Sequence, residues 1–361
     1  MRKIIGFVLV FLLVGGVVFA GGRGQRGPQY DAGGNRIVRV MSHNAVIEGN
    51  PYRIRYEADL REAVTAAIEY RLNVSINTAV SNWDAALEAT QIRNSINEGF
   101  DILVVNPVTS SGMDPLIISA QNAGILWVFA DIQYVTPNIG VLNIITDQYY
   151  LGLRTAREAG RVLGRGARVV MIEAMPGVQA NTDRQRGFNE GIREQGLVVV
   201  ATGHHDWAPG PSQTVMTEII NSGVQFDGVL ISQLAENALA AFDATGTPFP
   251  RFMGFNDTGA WMQRMIAINR DSRVMDFMVL SNPPGVGASA LNFALNKILG
   301  REMRTDMYHD PVTRTILLPS KFDFTLDTMT QEHIDLANSM APGDAITYWY
   351  TITEIADMFF R

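Results

Sequence analysis

The strongest constraint in this chain is a rhythm. Short apolar runs recur, each followed by a segment with helical apolar spacing, at roughly 25 to 30 residues per unit. RIVRV (36–40), NVSINTA (73–79), DILVV (101–105) and ILWVFA (125–130) read as strands. Between them Leu60, Ala63, Val64, Ala67 and Ile68 mark one helix face. Ala85, Ala89, Ile92 and Ile96 mark another, with Ser81 or Asn82 as its cap, and DPLIISAQNAG (114–124) is a third helix. The pattern restarts with ARVVMIEA (167–174), a helix over 180–196, LVVVATG (197–203), GVLIS (228–232), RFMGF (251–255) and FMVLS (277–281). Further helical stretches fall at 211–222, 235–244, 259–269 and 286–299. Continuous apolar strands alternating with amphipathic helices imply parallel sheets covered on both faces. The sequence therefore predicts an α/β chain with two lobes of similar construction, and leaves the part after 320 unplaced.

Composition narrows the function. A formal charge of −7 disfavours nucleic acid, whose binding relies on neutralising phosphates with Lys and Arg. The absence of cysteine excludes disulfides, zinc–thiolate sites, a cysteine nucleophile and a lipoprotein anchor. Arg2 and Lys3, the apolar run from Ile4 and the small residues of VVFAGG read as a signal peptide over 1–20, cleaved after Ala20. Residues 21–35 read as a Gly/Pro-rich linker. Its G-x-G-x-x-G match (22–27) follows no strand and opens no helix, so it carries no dinucleotide reading.

Ligands of open parallel sheets sit beyond the carboxyl ends of the strands. The residues there are Asn106, Asp131, His204 to Trp207, Gln233, Asn256, Asp257 and Asn282. The set is rich in amides and lacks a Ser–His pair, a phosphate loop and a G-x-S-x-G elbow, which argues for binding without catalysis. Three adjacent polar residues in HHDW (204–207) point to alternate faces of an extended segment, so no metal site is expected. No cofactor is expected either.

Several segments, taken together and in order, carry a resemblance. They are GNPY (49–52), ATQIRNSINEGFDILVVNPV (89–108), NAGILWVFADIQ (122–133), ITDQYYLG (145–152), RQRGF (184–188), HDWAPG (205–210), MGFND (253–257) and SNPPGVGASA (281–290). Over residues 36 to 320 the chain resembles the periplasmic sugar-binding proteins of ABC importers, of the ribose/galactose type. The resemblance implies a type I periplasmic binding protein, with two Rossmann-like lobes joined by a three-segment hinge near Thr146, Pro283 and Thr313. The lobes would be 36–145 with 283–313, and 146–282 with 314–335, followed by an extension over 336–361 of uncertain packing. It further implies capture of a sugar or polyol in the inter-lobe cleft, delivery to an ABC permease, and a periplasmic or secreted location. A sensor for a sugar, nucleoside or autoinducer, signalling to a chemoreceptor or sensor kinase, is the alternative.

By the same resemblance Asp131 would accept from sugar hydroxyls and Arg184 would donate to oxygens through its planar fork. Tyr52 and Trp207 would stack on the sugar ring. Gln233 and Asn282 would use their amides as both donor and acceptor. Asn256 is a departure, because the family commonly has Asp there. Ile132 is another, because ribose-type members often have Arg. The ligand's identity therefore does not carry over. Trp83 and Trp127 are assigned to packing, and Arg186 to the surface.

Overall fold

The computed structural model describes residues 27–137 and 140–361. The expected signal peptide and residues 21–26 of the expected linker lie outside them. The rest of that linker is a turn of β-hairpin. Strand β1 (Gln29–Tyr30) pairs antiparallel with β2 (Arg36–Asn44), and Asp31 accepts from the backbone of Gly33 and Asn35.

From β2 the chain runs through α1 (Pro51–Ala66), β3 (Leu72–Val80), α2 (Ala85–Glu98), β4 (Ile102–Asn106), α3 (Asp114–Asn122), β5 (Leu126–Ala130) and β6 (Val141–Thr146). Strands β2 to β6 form one parallel sheet, with β2 between β3 and β4. Strands β4 and β6 are buried along their whole length, as expected when helices cover both faces. The cap of α2 is Asp84, whose Oδ1 accepts from the Ala86 and Leu87 amides, and not Ser81 or Asn82.

The chain crosses to a second sheet after Thr146. Helix α4 (Gln148–Leu163) is followed by β7 (Arg168–Glu173), α5 (Gln179–Gln195), β8 (Val198–His204), α6 (Pro209–Asn221), β9 (Gly228–Ile231), α7 (Ala235–Thr245), β10 (Phe252–Asn256), α8 (Gly259–Ile268) and β11 (Asp276–Leu280). Order along this sheet is β8-β7-β9-β10-β11, all parallel. A second crossing, Ser281 to Gly285, returns to α9 (Val286–Ile298), which packs on α1 and the first sheet. Strand β12 (Thr315–Leu318) then pairs with β6 in the first sheet, and β13 (Asp323–Thr325) pairs antiparallel with β11 in the second. Residues 314–318 therefore belong to the first lobe, and the third crossing lies between Leu318 and Asp323 rather than near Thr313.

The segment after 330 has a definite place. Helix α10 (Gln331–Ser339) packs on α8, and Ala337 and Ile346 enter the core of the second lobe. Four residues later Tyr350 enters the core of the first lobe, followed by Ile352, Ile355, Phe359 and Phe360 on and beside α11 (Ile352–Phe359). Tyr348 packs against both cores. Asn292 and Asn296 on α9 donate to the carbonyls of Tyr350 and Ile352 at 2.8 and 3.0 Å. Gly285 is required by this contact, because a Cβ there would stand 2.0 Å from the Tyr348 carbonyl oxygen. The chain thus spans the two lobes once more, as a strap outside the three sheet-to-sheet crossings.

Phe359 is 4% exposed and its ring centroid lies 5.0 Å from that of Phe293. Phe359→Ala is expected to cost about 3–5 kcal/mol of stability in equilibrium urea unfolding, the range for emptying a core aromatic site. A loss under about 1 kcal/mol would mean that the strap is not part of the first core.

Candidate functional site

The carboxyl ends of both sheets face one cleft. On the first lobe Asn50 caps α1, its side chain accepting from the Arg53 amide at 3.1 Å, with Pro51 as the first helical residue. This places Tyr52 and Arg53 on the first turn. Helix α1 is tied down by Glu57, which accepts from Ser42, Asn44 and Thr78 on β2 and β3 at 2.5, 2.6 and 2.7 Å.

Asp131 follows β5 in the left-handed region, at φ 69°. Its Oδ2 takes the Arg53 Nη2 at 2.5 Å and its Oδ1 the Tyr52 hydroxyl at 3.1 Å, which also reaches the Pro283 carbonyl. A half-satisfied carboxylate at a strand end is expensive, and Arg53 resolves that cost. An ionised carboxylate offers about four acceptor sites, so about two stay open for a ligand. Asn106, at the end of β4, donates to the Ala130 carbonyl and steadies the turn.

On the second lobe Arg184 is 1% exposed. Its position depends on close packing of α4 on α5. A Cβ on Gly152 would stand 2.1 Å from the Arg184 carbonyl oxygen, and one on Gly187 2.1 Å from that of Tyr149. Arg184 Nε donates to Gln148 Oε1 at 2.7 Å and Nη1 to Gln233 Oε1 at 3.0 Å. Among the described residues no carboxylate lies within ion-pair distance of it and nothing accepts from its Nη2. Burial pulls its pKa down to about 10, against the opposing pull of Asp257, Tyr52 and Asp131.

Asp257 is 1% exposed, and its Oδ2 accepts from the Asn282 amide at 2.8 Å. Burial pushes its pKa up to about 7, with the Asn282 amide and Arg184 opposing. Gln233 is held in the left-handed region at φ 80°. Asn282 accepts from Gln148 Nε2 at 2.9 Å. Asn256 turns to α7, where it donates to Glu236. Trp207 is half-buried, its amide donating to His205 Nδ1 at 3.0 Å, while His205 itself is buried against the Ser232 carbonyl.

Asp131 and Tyr52 form one bonded group on the first lobe. Arg184, Gln233 and Asn282 form another on the second, joined directly or through Gln148. The two groups lie close enough for Asp131 and Tyr52 to act electrostatically on Arg184. Asn256 stands apart, and Asp257 beside it faces the other charges. One face of Tyr52 is covered by Arg53, whose guanidinium carbon lies 5.1 Å from the ring centroid. Trp127 is core, but Trp83, expected to pack, is 58% exposed. Arg186 is exposed and paired with Asp183. The sequence reading missed Arg53, Gln148 and the part played by Asp257. Only Asp257 had a signal, its place at a strand end.

Residues 46–302 match the periplasmic binding protein domain. The chain belongs to that family. Ribose import binding protein RbsB of Bacillus subtilis is 27% identical over 165 residues, covering 45% of this chain and 53% of that protein. The xylitol-binding protein of Mycolicibacterium smegmatis is 25% identical over 193 residues, 51% and 55% of the two. The chain thus spans about half the length of these curated relatives. An ABC transporter solute-binding protein from Thermobispora bispora superposes with a TM-score of 0.70 at 18% identity, covering 89% of this chain and 94% of that one. One from Bacillus halodurans, with bound myo-inositol, gives 0.66 at 16%, covering 82% and 97%. At these identities the structural likeness concerns the fold.

Because the folded pKa of Asp257 is raised, its contribution to stability is full below the ordinary carboxylate range and is lost as pH rises through about 7. Asp257→Asn should therefore lose less stability than the parent between about pH 4.5 and 7.5 in chemical unfolding, with Glu236, also raised by burial, supplying part of the remaining slope. An identical slope in both proteins would mean that Asp257 titrates normally.

Proposed function

We propose that the chain captures a sugar or polyol between its lobes, outside the cytoplasmic membrane, and delivers it to an ABC permease without chemical change. One observation carries this reading. Asp131 and Arg53 on one lobe lie close enough to Arg184 and Asp257 on the other for Asp131 and Asp257 both to act electrostatically on the Arg184 guanidinium, and among the described residues Arg53 Nη1 has no hydrogen-bond partner. Polyhydroxylated ligands suit such a site, because each hydroxyl donates to a carboxylate and accepts from a guanidinium. Contacts made by both lobes favour the closed state only when the ligand is present. Family membership and relatives named for ribose and xylitol support the ligand class. Neither the cleft nor these relatives favours the sensing alternative.

Differential scanning fluorimetry against pentoses, hexoses, inositols and nucleosides tests the reading. A sugar or polyol should raise the melting temperature, and a panel with no such shift would overturn it. Because truncating Asp131 would strand a buried Arg53, Asp131→Asn is the cleaner variant. Asp131→Asn and Arg184→Gln should each weaken binding at least tenfold in calorimetry, about 1.4 kcal/mol.

A further inference from the structure

Next to this cleft, across the side chain of Gln148, lies a second cavity of about 230 Å³. Its walls come from both lobes: Thr146, Thr315 and His309 on one side, Gln179 and Asp183 on the other, with Gln148 between. At roughly 30 Å³ per liquid water such a space holds about eight waters, the order of one sugar ring. The lining mixes amides, hydroxyls, three carboxylates and the Arg186 guanidinium with the apolar surfaces of Ile145, Leu317 and Tyr149. A polyhydroxylated ring needs that combination, with donors and acceptors at its rim and apolar contact on its C–H faces.

One residue of the wall carries an unspent hydroxyl. Thr146 is 3% exposed, and among the described residues its Oγ1 has no hydrogen-bond partner. A buried hydroxyl without a partner is costly, and the fold had alternatives close by. Thr315 Oγ1, on the neighbouring strand, is satisfied by Gln133 and Thr313. Gln148 joins the cavity to the first site, because this lining residue also holds Arg184 and Asn282 through its side-chain amide.

We propose that this cavity is a second subsite for a polyhydroxylated ring, so that the ligand is a disaccharide or glycoside with its second ring past Gln148. The inference rests on the sugar-binding reading of the first cleft. Calorimetry on the full chain would compare maltose, cellobiose, lactose and melibiose with glucose, galactose and the single-ring compound giving the largest thermal shift. At least one disaccharide should bind at least tenfold tighter than the best single ring. That advantage should fall at least fivefold in Gln179→Trp, which adds bulk at an exposed position of the cavity, and in Thr146→Val. The ligand-free Thr146→Val protein should melt no lower than the parent, since the lost hydroxyl has no partner. Two copies of a single-ring compound per chain, one of them lost in Gln179→Trp, would keep the subsite and identify its occupant as a separate ring. If single rings bind at one site and no disaccharide binds better, the subsite is wrong and the sugar reading stands. If nothing binds, the sugar reading itself falls.

Discussion

The cleft is organised around a buried guanidinium that has no carboxylate partner among the described residues. Removing Arg184 from water is costly, and the fold repays this with neutral acceptors and distant charge. Those acceptors explain much of the surrounding structure. Gln148 must stand at the first crossing to reach it, and Gln233 must adopt a left-handed backbone. Helices α4 and α5 must touch through Gly152 and Gly187, since any side chain there would displace Arg184. The first lobe solves the same problem differently, by pairing Arg53 with Asp131 directly.

The strap is part of this arrangement. The Ile346 amide donates to the Asp257 carbonyl at 2.7 Å, and the Ser281 hydroxyl, beside Asn282, donates to Tyr348. Thr347 donates to Asp59 on α1, the helix whose first turn carries Tyr52 and Arg53. Residues 346–348 thus support both walls of the cleft from behind. A substitution in the strap can alter the site without touching it.

Most of the strands were legible because a strand buried on both faces is written as an unbroken apolar run, as in DILVV and ILWVFA. Strand β6 escaped because Asn143 and the flanking polar residues interrupt its pattern, although Asn143 is buried and bonded to Tyr134 and Thr313. The strap escaped because its helices are short and its aromatic residues serve two cores in turn. In the site, Asp131 and Arg184 stood out as charges placed where strands end or where a family motif begins. Arg53 did not, since YRIRY in an amphipathic helix reads as a solvated face, and its burial is set by Asp131, almost eighty positions away. Asn256 and Asp257 were both visible at the end of β10. Which of two adjacent side chains faces the cleft depends on backbone direction that single-sequence periodicity does not resolve.

The strap also bears on how the lobes come to be folded. The first core contains Val38 and Phe360, so almost the whole described chain must be present before that lobe can close its interior. The second core gathers residues between Val170 and Ile346, a shorter span. Pairing residues so far apart is slow, because the intervening loop must be closed before the contact is gained. During synthesis the lobe that begins first is therefore completed last. Until then the surface of α9 that α11 will cover is exposed, which makes it the natural place for a chaperone to hold the incomplete protein or for a protease to find it.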